Sequence, residues 1–226
     1  MKIIARIHTD FKEKFGIPRQ SGIADETVGR IVFEQEYRVR EALRGIDGYS
    51  HLWLIWQFSE AVREEWSPTV RPPRLGGNKR VGVFATRSPY RPNPIGLSSV
   101  RLLGTEDTSE WGTTLLVAGA DLLDGTPIYD IKPYLAYTDS HPDATGGFSD
   151  PVREYGLKVN ICKELLSKID VSKQKSLIKI LEHDPRPSYQ DDPLREYGFK
   201  FSDCEIFFKV SGDTLTVTGV ELGVNE

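Results

Sequence analysis

The chain has 226 residues, of which 38% are hydrophobic and 27% charged, and its formal charge is -4. This balance belongs to a soluble globular protein and excludes collagen-like, disordered and disulfide-scaffold classes; no apolar run approaches the roughly 18 residues of a membrane-spanning helix. Met1–Arg6 lacks the apolar stretch of a secretory signal, and Cys162 and Cys204 have no metal-ligand spacing, so two free thiols in a reducing cytoplasm are expected.

Lys2–His8 alternates apolar and polar residues as a first strand. Phe11–Arg30, punctuated by Gly16, Pro18, Gly22 and Gly29, reads as a long loop, and Arg30–Glu34 as a second strand. Glu36–Leu43 reads as a short helix stopped by Gly45 and Gly48. Ser50–Phe58 (SHLWLIWQF) is apolar enough for a central buried strand, with His51 expected to be buried and hydrogen-bonded within it. Strands follow at Val81–Thr86, Leu97–Leu103, Thr114–Ala120 and Thr126–Ile131, with Gly104–Gly112 as a hairpin connection. Short strands without helical crossovers predict a mainly β fold, with a non-Rossmann β-barrel over residues 1–142.

Ser140–Pro151 (SHPDATGGFSDP) is a polar, Gly/Pro-rich break and the expected domain boundary. Residues 150–226 read as a small α+β domain. Leu157–Ile169 and Val171–Glu182 have helical spacing, with Ser172 capping the second, and Asp184–Tyr189 is a Pro-rich turn. Phe199–Ser202, Glu205–Val210 and Leu215–Glu221 alternate as antiparallel strands, with Gly212-Asp213 at a turn. A unit of roughly 75 residues is small enough to lean on its neighbour for stability.

Three segments are too polar and too rich in Gly and Pro to be explained by packing: Ile17–Gly22, Arg71–Gly96 and Asp121–Tyr134. Such loops hold a rigid ligand-binding surface at a barrel end. Seven of the 29 bases and none of the 33 acids lie between Arg71 and Arg101, which predicts a polyanion patch in an otherwise acidic chain. A dinucleotide fingerprint, a phosphate-binding GxxxxGK[ST] loop, zinc-ligand spacing and a GxSxG elbow are all absent, and no metal is expected.

The segments FKEKFGIPRQSG, GYSHLWLIWQF, VRPPRLGGNKRVGVFATRSPYRPNPIGLS, DLLDGTPIYDIKPY and DPRPSY occur in that order. On them the chain resembles the TsaA-like (TrmO) family of S-adenosylmethionine-dependent tRNA methyltransferases over nearly its whole length. The resemblance implies a cytoplasmic β-barrel methyltransferase, a homodimer with the donor near the dimer interface, and the anticodon loop of tRNA as partner. The implied reaction is N6-methylation of threonylcarbamoyladenosine at tRNA position 37. By similarity to the family motif, the donor-binding residues are Gln20, Ser21, Gly22, Ser59, Glu60, Arg87, Leu97, Asp121, Leu123, Asp124, Gly125 and Thr126. Ser59-Glu60 departs from a His-containing pair common in relatives.

The exocyclic nitrogen of adenine is a poor nucleophile, so transfer requires in-line placement and acceptors for its hydrogen. Asp124, Asp130 and Asp184 are the catalytic candidates; the DPRPSY turn is similar to the Asp-Pro-Pro-aromatic loops of other N6-adenine methyltransferases. RNA contacts are expected from Arg71, Arg74, Lys79, Arg80, Arg91, Lys132 and Arg186, with Tyr90, Tyr134 or Tyr189 stacking on a base. A barrel that binds RNA or a nucleoside without catalysis fits the same residues.

Overall fold

The computed structural model describes residues 1–72, 75, 79–152, 156–186 and 192–223; Arg74 and Tyr189, two expected RNA contacts, lie outside them. Six strands carry the N-terminal part: β1 (Ala5–His8), β2 (Val28–Phe33), β3 (His51–Gln57), β6 (Ile95–Thr108), β7 (Gly112–Ala118) and β8 (Thr126–Pro133). They pair in the order β1-β2-β7-β6-β3-β8, all antiparallel, and β8 returns to pair with β1, so the sheet closes on itself. The period of two explains the packing. In β3, Leu52, Leu54 and Trp56 point inward, where they meet Ile7, Ile31, Leu115, Val117 and Ile128.

The closed antiparallel pairing has one consequence for function. The chain leaves β1, β3 and β7 and enters β2, β6 and β8 at the same end of the ring. The connections 9–27, 58–94 and 119–125 therefore emerge together. The middle one includes a two-stranded ribbon of β4 (Thr69–Val70) and β5 (Val81–Gly82).

Several expected boundaries shift for physical reasons. Gly104–Gly112 is mostly strand: a register shift between Leu102 and Gly104, with Gly104 at φ 141°, lets β6 run on to Thr108. Glu36–Leu43 is two 3-10 turns, 35–37 and 40–43, with no buried face to hold a helix together. Of Val81–Thr86, only the two residues of β5 are strand, and a 3-10 turn follows at Val83–Ala85. His51 is half-buried on the outer face, its Nδ1 3.0 Å from Ser50 Oγ.

The C-terminal part is a β-rich sheet ordered β10 (Tyr197–Phe201), β11 (Cys204–Ser211), β12 (Thr214–Leu222), β9 (Lys158–Asn160). Helix α3 (Val171–Glu182) contributes buried Leu177, Ile180 and Leu181 to its core. The helix expected over Leu157–Ile169 is instead β9 followed by the single turn of α2 (Lys163–Leu166), because β9 pairs in parallel with β12. The cap of α3 is Asp170, which accepts the Ser172 amide at 2.8 Å; Ser172 lies within the first turn.

The long first loop belongs to this second core. Phe11 and Ala24 are buried among its residues, and Phe15 and Ile17 pack against it. A Cβ on Gly16 would lie 2.2 Å from the Phe199 ring. The loop thus joins the two parts while its tip, Gln20–Gly22, reaches the end of the ring. Among the described residues, no helix is long and apolar enough to cross a membrane.

Candidate functional site

Two glycines bring the first and third loops together. The Gly22 amide donates to the Gly119 carbonyl at 2.9 Å, and both glycines have positive φ. A Cβ on Gly119 would stand 3.3 Å from Gly22 Cα, so the contact is backbone on backbone. Asp121 lies two residues after Gly119 and is partly buried. Its Oδ1 accepts Ser98 Oγ at 2.6 Å, and Ser98 Oγ in turn accepts Trp56 Nε1 at 3.0 Å. Gly96 makes this relay possible: a Cβ there would lie 2.2 Å from the Trp56 ring. Trp56 and Ser98 face the inside of the ring, so the relay joins the core to the loop end.

Arg87, exposed in the second loop, donates through Nη1 to Gln20 Oε1. Desolvation raises the Asp121 carboxyl above the usual range. The Ser98 hydrogen bond, main-chain donors including Ser21, and the Arg87 charge oppose that rise without cancelling it. Beside this cluster lies a cleft of about 530 Å³ lined by Gln20, Ser21, Gly22, Ile23, Ser149, Asp150 and His183. Ser59 and Glu60 are exposed in the second loop, and Lys14 ties Glu60 to the first, with Nζ 3.0 Å from Oε2.

The remaining expected donor residues divide. Leu123–Thr126 form a tight turn with Gly125 at φ 76°, docked on β1 through Gly125 N to Ile7 O and on the first loop through Asp124 N to Phe11 O, each 2.8 Å. Leu97 lies on the outer face of β6 opposite Ile55 and is 57% exposed. Asp124 turns away from Asp121: Lys12 Nζ is 2.8 Å from Oδ2, the Thr9 amide 3.0 Å from Oδ1 and His8 Nδ1 3.4 Å from Oδ1. Burial alone would raise this carboxyl, but the Lys12 and Thr9 hydrogen bonds and the Lys12 and His8 charges outweigh it and hold it low.

The three carboxylates expected to be catalytic are not brought together. Asp124 is committed to Lys12. Asp130 lies on the outer face of β8 and pairs with Lys132 at 2.9 Å. Asp184 is buried, and its two oxygens accept Arg186 Nε and Nη2 at 2.9 and 3.0 Å. Arg186, expected to contact RNA, has a side chain 7% exposed and pairs with Asp184. Asp184 itself has φ 51°, unusual for a non-glycine. Arg19 completes this clasp by donating to the Asp184 and Arg186 carbonyls at 3.2 and 3.1 Å, so the DPR turn is wired to the residue preceding Gln20. Arg71, Lys79 and Arg80 are exposed, Lys132 is exposed but paired, and Arg91 is partly buried against Thr86 O.

A family model of the tRNA-methyltransferase O N-terminal domain matches residues 6–140, and one of the TrmO C-terminal domain matches residues 153–223. The chain belongs to the TrmO family. An Escherichia coli (strain K12) relative named tRNA (adenine(37)-N6)-methyltransferase is 42% identical over 194 residues, covering 83% of this chain and 82% of that protein. A Pseudomonas aeruginosa relative bearing an S-adenosylmethionine-dependent methyltransferase name, RcsF, is 41% identical over 194 residues, covering 83% and 81%. A crystal structure of TrmO from P. aeruginosa matches with a TM-score of 0.79 and 34% identity over 98% of this chain and 95% of that one.

Within this TrmO-family chain, Trp56, Ser98 and Arg19 stand outside the set expected from sequence. Gly96 opposite a tryptophan is the signal that points to the first two, because a glycine inside a strand marks a close approach. Arg19 sits within the IPRQSG motif itself.

Proposed function

We propose that this chain is a tRNA (adenine-37-N6)-methyltransferase that takes its methyl group from S-adenosylmethionine and acts on threonylcarbamoyladenosine, giving N6-methyl-N6-threonylcarbamoyladenosine. The observation that carries the reaction class is the likeness to the family along both parts of the chain, shared with relatives named for that activity. The finer substrate rests on the family resemblance. A cytoplasmic location is part of the same proposal.

The loop end has the chemistry that the donor needs. Asp121 is a carboxylate whose desolvation is not fully compensated by its protein partners, and a neighbouring cation relieves that cost. It suits the donor's ammonium or sulfonium. Arg87, held by Gln20, suits the donor's carboxylate. The main-chain carbonyls of Gln20–Gly22 offer acceptors for the adenine amine and ribose hydroxyls, the Leu123–Thr126 turn shapes the wall beside Asp121, and exposed Leu97 offers apolar contact. S-adenosylmethionine supplies an electrophilic methyl carbon when bound. Asp121 and Arg87 would hold the donor so that N6 meets the methyl carbon in line with the C–S bond, which would break as the N6–C bond forms, with the N6 proton passing to solvent. In threonylcarbamoyladenosine that proton lies between the purine ring and a carbamoyl carbonyl, so it is more acidic than in adenosine. Orientation therefore matters more than a strong base.

A homodimer is part of the same reading. It is supported by the outward-facing Ile55 and Leu97 on paired strands, an apolar strip that includes a residue expected to touch the donor. The residues divide as 1–142 for the donor-binding domain and 150–226 for a substrate-contacting domain. The first loop is donor-binding at its tip and part of the second core at its base.

The test is to incubate the full chain with S-adenosylmethionine and tRNA carrying threonylcarbamoyladenosine, then analyse nucleosides by mass spectrometry. A methyl on that nucleoside is the expected result. Binding of both ligands without transfer would replace the enzyme with a binding module. Transfer to unmodified adenosine instead would overturn the substrate assignment alone.

A further inference from the structure

The second loop carries an aromatic surface that neither core uses. Trp66, Phe84 and Tyr90 are 52%, 72% and 41% exposed. The Trp66 and Phe84 rings lie 6.0 Å apart, centroid to centroid, at 32°. Arg91 lies 5.9 Å from the Phe84 ring centroid and Arg63 lies 3.9 Å over Tyr90. Large rings clustered in water are costly, and such a patch marks an interaction site.

The platform is built rather than accidental. Strands β4 and β5 pair Thr69 with Gly82 and Val70 with Val81, and the Val83 amide donates to Pro68 O at 2.9 Å. Val83 is buried at 1% exposure and anchors the turn that turns its neighbour Phe84 outward. Arg80 Nη1 donates to Thr69 Oγ1 at 2.9 Å, and Arg91 Nη1 to Thr86 O at 2.9 Å, so two guanidinium groups are fixed on the same ribbon and turn.

We propose that Trp66 and Phe84, flanked by the Arg63–Tyr90 pair, form a stacking platform for unpaired nucleotides of the substrate RNA next to the one that enters the donor site. This rests on the reading of the chain as an RNA-modifying enzyme. The charge decides the occupant. Residues 61–94 contain seven bases and only two acids, Glu64 and Glu65. An apolar protein partner would bury these charges unpaired, at high cost. A second copy on a two-fold axis would set like charges against each other. Single-stranded RNA brings a π-face for each ring and a phosphate for each base. Because every base has a π-face, the platform reads strandedness rather than sequence.

The test measures binding of a fluorescent anticodon stem-loop RNA to the full chain by anisotropy across a salt series. Trp66→Ala and Phe84→Ala are each expected to weaken binding by about 5- to 150-fold, the range for loss of one stacked base, with the salt slope unchanged. Arg80→Ala is expected to lower the slope by about 0.7–0.9, one phosphate contact, leaving the stacking intact. Trp66→Phe should recover most of the affinity. Calorimetry with S-adenosylmethionine reports on folding, and Trp66→Ala should match wild type there. An affinity within about twofold of wild type in the double alanine variant overturns the platform. So does a change of oligomeric state in sedimentation that accounts for the loss, because the face then belongs to a second copy. Wild-type protein that binds the RNA in this way yet transfers no methyl would overturn the enzymatic reading and leave the platform standing.

Discussion

Asp121 and Asp124 belong to one loop and have opposite surroundings. Asp124 is saturated by the protein: Lys12, His8 and the Thr9 amide surround it, and its carboxyl is held below the usual range. Asp121 has a serine hydroxyl, main-chain donors and a more distant arginine, and desolvation still wins, so its carboxyl is raised. A carboxylate whose charge is balanced by its own fold is a fastener; it pins the third loop to the start of the first. A carboxylate whose charge remains uncompensated stands ready for a cation from outside. Residue type and loop position are the same, and what separates the two roles is the electrostatic balance that the surrounding chain leaves at each.

The largest expected effect therefore falls on ligand binding and comes from Asp121. Asp121→Asn should weaken S-adenosylmethionine binding by roughly 1.5–3 kcal/mol, about tenfold to a hundredfold, as measured by calorimetry. Stability should move the other way. A carboxyl with a raised folded-state pKa loses its proton later in the folded chain than in the unfolded chain. Its contribution to stability falls as pH rises through the window above the ordinary carboxylate value. The asparagine has no charge to desolvate, so the variant's Tm should equal or exceed that of wild type at pH 7. A variant that melts earlier and binds the donor normally would make Asp121 a second fastener and erase the contrast.

The relay behind Asp121 provides the next test. Gly96→Ala puts a methyl group where the Trp56 indole lies. The ring must move, and Ser98 loses the donor that orients it. The overpacking should cost about 1–3 kcal/mol of stability in denaturant unfolding, and donor affinity should fall with it. The equivalent change at Gly82, where a Cβ meets nothing within 4 Å, should leave donor affinity unaltered and serves as the control.

The gap between what sequence showed and what it hid follows the same line. The alternation in SHLWLIWQF revealed β3 because period-two burial is written residue by residue. The three polar loops were legible because Gly and Pro punctuate them, and their meeting at one end follows from antiparallel pairing. What stayed hidden depends on partners distant in sequence. Nothing in DPRPSY shows that Arg186 turns inward to pair with Asp184, two residues away. Nothing in FKEKFGIPRQSG shows that Phe11, Phe15 and Ile17 complete the core of a sheet that begins far downstream. Local charge likewise could not separate Asp121 from Asp124, because Ser98 and Lys12 reach them from β6 and from the first loop.

The smallest expected effect is on Asp124, and its pH dependence is the sharpest feature. The pair with Lys12 is half-exposed, with side-chain exposures of 48% for Lys12 and 27% for Asp124. Asp124→Asn should therefore cost only about 1 kcal/mol at pH 7, or roughly 2–4 °C in Tm for a chain of this size. A carboxyl with a lowered folded-state pKa gives up its proton earlier in the folded chain. Its stabilisation is fully present above the unfolded value near about 3.9 and disappears as pH falls through the lower folded value. The Tm gap between wild type and variant should then be constant from neutral pH to about pH 5 and close below it. The opposite sign is expected for Asp121→Asn, whose gap opens as pH rises. If Asp121→Asn were instead less stable than wild type at neutral pH, with the same sign of gap as Asp124→Asn, the two carboxylates would share one role, and the division of the loop into a fastener and a ligand-facing group would fail.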